Sequence, residues 1–424
     1  FIEGAGEVQF NGAVQQNISS DTFNNLTISN TGVAMNVLAL GKIAVTGNLA
    51  INSGELNLGT NLVGVNKHTV GGYCYINKGK LKANTSSISI TGLLRIGDGI
   101  NGGLVDMTGN STDDPDLTAT GGVDITATGT LDMTGSSASI SCGANWVKSG
   151  VFNIGTGRII MNGSNNTISG AGTGDFYNLE INSVGVISCS SNIGVTNNLT
   201  ISAGEIRSTL YALRCTGNIS NSGTVTVNTG GLLDLEGNIT GGVLQFGSGS
   251  CQMQVGGSFA PTTLDAGEGT IIFDNTAAGQ NIPSYTYNNL TISKGGQMGT
   301  ATGNLTINGI LNVTGGTFDS DDASVRVHNI GSISNSGTVR MDLVSTVNVS
   351  SATTNTGTIN IGIGTYNNTG NYINTNGSTI LGAGLLNIDG DITGGTLDFN
   401  NSAGTLRIAG VFTPATLNED IGTI

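Results

Sequence analysis

Charge is scarce in this chain: Asp, Glu, Lys and Arg make up 10% of 424 residues, against about 25% in an average domain. The few charges are unbalanced, with 14 Lys and Arg against 28 Asp and Glu, a net charge of −14. That balance argues against nucleic acid, whose phosphates need clustered cations to displace counterions, and against an anionic membrane surface. Proline is nearly missing, at 4 residues, and glycine does not fall at every third position, which excludes collagen. The good helix formers Lys, Glu, Arg and Gln are few, while Gly, Asn, Thr and Ser all cost helix free energy, so a helical protein is excluded. No apolar run can span a bilayer, since Val33 to Val45 is broken by Asn36, Gly41 and Lys42. Cys74, Cys142, Cys189, Cys215 and Cys251 are widely spaced with no C-x-x-C pair, which argues against zinc, an iron–sulfur cluster or a dithiol site. They read as small buried apolar residues, with a Cys189–Cys215 disulfide as the alternative. The chain opens at Phe1-Ile2-Glu3 with no signal-peptide pattern, so a removed leader or a segment of something longer is expected.

Glycine fills the gap that charge leaves, with 69 residues, where an ordinary protein carries roughly 7%. Hydrophobic residues still reach 37%, too many for a disordered linker. What remains is an uncharged chain of short Val/Ile/Leu/Thr strands punctuated by Gly and Asn.

Internal repeats dominate the sequence. Phe23-Asn24-Asn25-Leu26-Thr27-Ile28-Ser29 recurs at Phe176 to Asn182 and again at Tyr287 to Ser293, with leucine spacings of 179 − 26 = 153 and 290 − 179 = 111. A second shared strand follows each copy: Asn48-Leu49-Ala50-Ile51, Asn198-Leu199-Thr200-Ile201 and Asn304-Leu305-Thr306-Ile307. Gly237 to Phe246 matches Gly390 to Phe399, again 153 apart (397 − 244). These matches divide the chain into residues 1–5, the end of a preceding module; modules at 6–156, 157–268 and 269–421; and residues 422–424, the start of a further one. The middle module is shorter by 153 − 111 = 42 residues. If that is two whole coils, one coil is about 21 or 22 residues. Apolar residues two apart, as in Leu26 and Ile28 or Val225 and Val227, read as strands. The expected fold is therefore all-β: a parallel β-solenoid (β-helix) with about three short strands per coil. At about 4.8 Å per coil, about 19 coils would make a rod of roughly 90 Å.

On this reading Leu26, Ile28, Leu179, Ile181, Leu290 and Ile292 form the core ladder, whose burial offsets chain entropy. Gly and Asn take corners that need positive φ. Corner asparagines such as Asn25, Asn178 and Asn289 stack amide on amide. Charge is scarce because in-register stacking would set like charges above one another.

The Asn-Leu-Thr-Ile and Gly-Asn-Leu-Thr-Ile-Asn strands and the Ser-Gly-Thr-Val corners resemble those of secreted bacterial or archaeal β-solenoid surface proteins: repetitive adhesins, filamentous-haemagglutinin-like rods and autotransporter passenger stalks. That resemblance implies extracellular or cell-surface display, rigidity and self-association.

Candidate chemistry is sparse. His68 and His328 stand outside any metal or catalytic pattern. Gly247-Ser248-Gly249-Ser250 approaches a nucleophile elbow only loosely, and Gly170 to Gly174 lacks the Gly-Lys-Thr ending of a phosphate loop. Carboxylates do not converge as a polysaccharide lyase or hydrolase requires, so no enzyme and no cofactor are expected. Asp113, Asp114 and Asp116, and Asp319, Asp321 and Asp322, are weak calcium candidates through their grouped oxygen ligands. Asn25, Asn198, Asn238, Asn289 and Asn304 lie in Asn-x-Ser/Thr sequons and are candidate glycosylation sites.

Open solenoid ends expose strand edges that natural proteins usually cap. Neither terminus offers a cap, so Phe1, Val8 and Phe10 at one end and Leu417, Ile421 and Ile424 at the other are expected to form an end-to-end interface. It would continue covalently or by head-to-tail stacking. The expected function is a structural component of an extracellular fibre, filament or surface stalk, with self as the partner and no nucleic acid or membrane insertion. An adhesin binding host-surface or matrix glycans is the alternative, with Trp146, Tyr73 and Tyr75 as aromatic candidates. A polysaccharide lyase or hydrolase is the second alternative.

Overall fold

The computed structural model describes residues 5–31, 36–60, 62–63, 67–108, 115–170, 172, 175–275, 279–322, 324–419 and 421–424. Every regular element among them is a strand, and each strand pairs in parallel with strands about one coil away. The chain forms two compact units, Phe1–Val225 and Thr226–Ile424. Each is a parallel β-solenoid with three strands per coil.

In the first unit one face is a sheet of seven parallel strands, Gln16–Ile18, Asn36–Ala39, Glu55–Asn57, Lys80–Lys82, Leu104–Asp106, Thr130–Asp132 and Val151–Asn153. A second face stacks Ile88, Leu117, Ile140, Ile159 and Leu179 in register. The third stacks Val8, Leu26, Leu49, Cys74, Leu94, Val123, Trp146 and Ile168. Alternate residues point inward, so each three-residue strand contributes one or two apolar side chains to a continuous column. Leu26, Ile28, Cys74 and Leu94 are fully buried there, and Trp146 packs edge-on against Phe152 and Phe176 at 5.3 and 5.7 Å.

The second unit repeats the scheme with tighter spacing. Thr346, Thr365, Leu385 and Thr405 stack at steps of 19, 20 and 20 residues. Part of its interior is polar and paired: Asn335 Nδ2 donates to Asn355 Oδ1 and Asn355 Nδ2 to Asn374 Oδ1, both at 2.8 Å, and all three residues are buried. Tyr366 and Tyr372 are buried beside this column, their hydroxyls bonded to Thr353 and Thr379 at 2.7 and 2.6 Å. Buried polar groups are tolerated when they find partners, which stacking supplies from Asn355 onward while Asn335 Oδ1 is left without one.

The bare coil is about 20 residues, not 22. On the third face of the first unit the steps run from 18 to 29 residues. The longest steps carry loops such as 97–103, where Asp98 accepts the N–H groups of Ile100 and Asn101. Averaging over such loops inflates the coil inferred from module lengths.

Equivalent segments of the repeat also do not share a face. Leu26 lies on the third face and Leu179 on the second, six full turns plus two of the three faces further on. In the second unit Ile239 stacks under Phe259, whereas its repeat counterpart Ile392 belongs to a different ladder, through Thr353 and Tyr372. The second shared strand also stacks differently among the copies, Leu49 and Leu199 lying on Leu26 and Leu179. Leu311, not Leu305, stacks on Leu290, while Ile307 stacks on Tyr287.

Candidate functional site

The corner asparagines act through hydrogen bonds to backbone. Oδ1 of Asn25 accepts the N–H of Asn48 one coil on at 2.9 Å, and Oδ1 of Asn289 accepts that of Ile310 at 2.9 Å. Asn198, Asn238 and Asn304 accept likewise from Asn218, Ser258 and Val327 at 3.0, 2.7 and 2.9 Å. Each satisfies a corner N–H that an in-register ladder would leave bare. Asp391, which replaces Asn238 in the repeat, accepts the N–H of Val411 at 2.7 Å, so the acceptor oxygen is what the position requires. The five sequon asparagines are thus structural acceptors. Of the three corners expected to stack amide on amide, Asn178 does so, its Oδ1 accepting from Asn197 Nδ2 at 2.9 Å, whereas Asn25 and Asn289 bond backbone.

Both histidines are buried clamps. His68 Nδ1 accepts the N–H of Ile43 at 3.1 Å and its other nitrogen meets the Leu58 carbonyl at 2.9 Å. His328 Nδ1 accepts the N–H of Leu305 at 3.2 Å and its other nitrogen meets the Ser320 carbonyl at 2.6 Å. An Nδ1 that accepts leaves the proton on Nε2, which donates to the carbonyl. Burial lowers both imidazole pKa values.

Asp113, Asp114 and Phe1 lie outside the described residues, and Asp116 is exposed. The second acidic group is already matched by cations: Asp319 pairs with Arg340 at 2.6 Å and Asp322 with Arg326 at 2.6 Å. Asp321 Oδ2 accepts from the Ser320 hydroxyl and the Leu343 N–H at 3.3 Å each. Burial raises the Asp319 pKa, opposed by its bond from Arg340. Among the described residues no three His, Cys, Asp or Glu side chains converge as a metal site would require.

The five cysteines are free, buried thiols, so Cys189 and Cys215 are not bridged. Burial pushes Cys74 and Cys189 up to about 12 and Cys142 up to about 11. Trp146 is a core residue with no exposed surface, whereas Tyr73 is half exposed and stacks on Tyr75 at 5.6 Å. Leu26, Ile28, Leu179, Ile181, Leu290 and Ile292 are all buried. Val8, Phe10 and Leu417 are half-buried, and Ile421 and Ile424 are exposed.

One concave feature was not anticipated. A groove of about 310 Å³ crosses four coils of the second unit, beside an outward column of asparagines. Asn348 Nδ2 donates to Asn329 Oδ1 at 3.0 Å, Asn367 to Asn348 at 2.9 Å, and Asn387 to Asn367 at 3.3 Å. The column, Ser350 and Thr369 line the groove, and the side chains of Ile307, Ile330 and Val349 between them are buried in the core. The signal was present in the sequence as Asn at intervals of 19, 19 and 20 residues, but only a coil length near 20 makes it visible.

No protein-family model matches this chain, and neither a curated protein nor a solved structure matches it.

Proposed function

We propose that this chain is a structural component of an extracellular fibre, filament or surface stalk, associating with itself head to tail or as a continuing polypeptide. The observation that carries this reading is the parallel stacking of coil on coil within each unit. The described strands of successive coils pair in parallel, with register shifts in a few long or bulged strands, and are joined by apolar columns, amide columns and corner asparagine bonds. Such stacking is quasi-one-dimensional, and its stability grows with each added coil. The polar groups that other folds devote to chemistry are here engaged between coils. The two histidines and the acids Asp319 and Asp322 all have partners of that kind or in the adjoining loop. The role is accordingly mechanical rather than catalytic, and the place of display is the cell exterior.

Electron microscopy of the purified chain over a range of concentrations tests the proposal. Uniform filaments of constant width are expected, lengthening with concentration. Discrete particles at every concentration would overturn it.

A further inference from the structure

We propose that the groove beside Asn329, Asn348 and Asn367 binds a neutral, linear polysaccharide lying along the stack of coils, a site that stands independently of the mechanical role. Charge selects the ligand first. None of the eleven lining residues is charged, and the chain as a whole carries −14, so an anionic polymer meets no cation and is repelled at long range. The lining then selects hydroxyls. A carboxamide has two N–H donors and two carbonyl lone pairs. Within the column Asn348 and Asn367 each commit one N–H and one lone pair to their neighbours. One donor and one acceptor per coil remain, a pattern that sugar hydroxyls, which both donate and accept, can meet. Ile307, Ile330 and Val349 beneath the column are turned into the core, so the outward amides and hydroxyls make the contacts.

Spacing selects a polymer and rejects a peptide. The wall repeats once per coil, about 4.8 Å, close to the length of one pyranose ring across a 1,4 linkage. An extended peptide presents like-facing side chains every ~6.7 Å, which falls out of step within two coils. A proline-rich peptide would match a polyproline helix only in an aromatic-lined groove, and no aromatic side chain lines this one.

The test is calorimetric titration of the full chain with neutral β-1,4-linked gluco-, xylo- and N-acetylglucosamine oligosaccharides, from monosaccharide to hexasaccharide. Affinity should rise with length to about four sugars, one per coil of the groove, and then level off. Asn348→Leu with Asn367→Leu should weaken the tetrasaccharide about tenfold by removing two polar contacts. Thr369→Val leaves the column intact and should weaken it by roughly threefold. Thr358→Val, on another face, should leave it unchanged. No heat at millimolar oligosaccharide would overturn the proposal. So would equal affinity for monosaccharide and tetrasaccharide, tighter binding of an anionic oligosaccharide or a proline-rich peptide, or binding untouched by both groove variants.

Discussion

A neutral imidazole carries one N–H and one bare nitrogen, and His68 and His328 use both on backbone groups of other segments. Protonation would set an Nδ1–H against the N–H of Ile43 or Leu305, turning an acceptor into a second donor. The charged groups acting on them are Lys42 for His68, and Asp321 and Arg326 for His328. Both folded pKa values are lowered, chiefly by burial. The stability they contribute is therefore complete above the unfolded value of about 6.5 and is lost as pH falls from there through the folded values. Melting temperature should drop over that window, and less steeply in a His68→Asn, His328→Asn double variant. At neutral pH His328→Ala strands the Leu305 N–H and the Ser320 carbonyl, costing roughly 2–4 kcal/mol, and should speed hydrogen exchange at the Leu305 amide. The corner asparagines obey similar logic. Asn289→Ala should cost about 1–2 kcal/mol by baring the Ile310 N–H, whereas Asn289→Asp, which copies Asp391, should melt close to the parent. Glycine, too, has a sharper cause than turn geometry. Only 17 described glycines have positive φ. Many others lie where a Cβ would overlap the backbone of the coil below, as at Gly103 over the Ile76 carbonyl and Gly382 over Gly362.

At the scale of elements, the coil is the unit that can be removed. Leu385 to Ile388 stack on Thr365 to Asn368, so deleting residues 365–384 brings Leu385 directly over Thr346 and keeps three ladders in register. That variant should fold with an unchanged far-UV spectrum and a modestly lower melting temperature, because one coil's share of stacking is lost. Deleting residues 365–374, half a coil, joins strands of different faces and should give a protease-sensitive chain; limited proteolysis separates the two outcomes. The same geometry explains what the sequence made legible. Alternation in segments such as Leu26-Thr27-Ile28 identifies strands, and the 153-residue repeat identifies stacking, because both follow from side chains copied coil by coil. Face was not legible. All three faces bury the same alternating Leu, Ile and Val, so Asn289-Leu290-Thr291-Ile292 and Asn304-Leu305-Thr306-Ile307 look alike, although the second stacks on Thr286 and Tyr287. The groove stayed hidden for a related reason: its wall is a column, and a column appears in sequence only once the coil length is right.

For the molecule as a whole, the net charge of −14 opposes any contact between copies. Inside a unit the few charges are arranged to avoid this problem. Lys80 stacks on Glu55 and reaches Asp106 at 2.6 Å, Arg95 stacks on Asp124, and Arg340 stacks on Asp319. Between copies no such register is guaranteed, and uncompensated carboxylates repel over a Debye length, about 10 Å at 0.1 M salt and about 3 Å at 1 M. Acid and salt would both relieve that repulsion, but they are not equivalent here. Lowering pH toward the sequence pI near 4.3 also enters the range in which the two histidine clamps lose their stabilising contribution, so loss of fold competes with association. Salt at pH 7.5 removes the repulsion and leaves the clamps neutral. Light scattering at pH 7.5 should therefore rise with sodium chloride between 0.05 and 1 M, roughly the range over which the Debye length contracts to 3 Å, with thermal stability retained. A scattering signal independent of salt would mean that charge is not what holds the copies apart. In that case interactions other than charge would set whether copies associate.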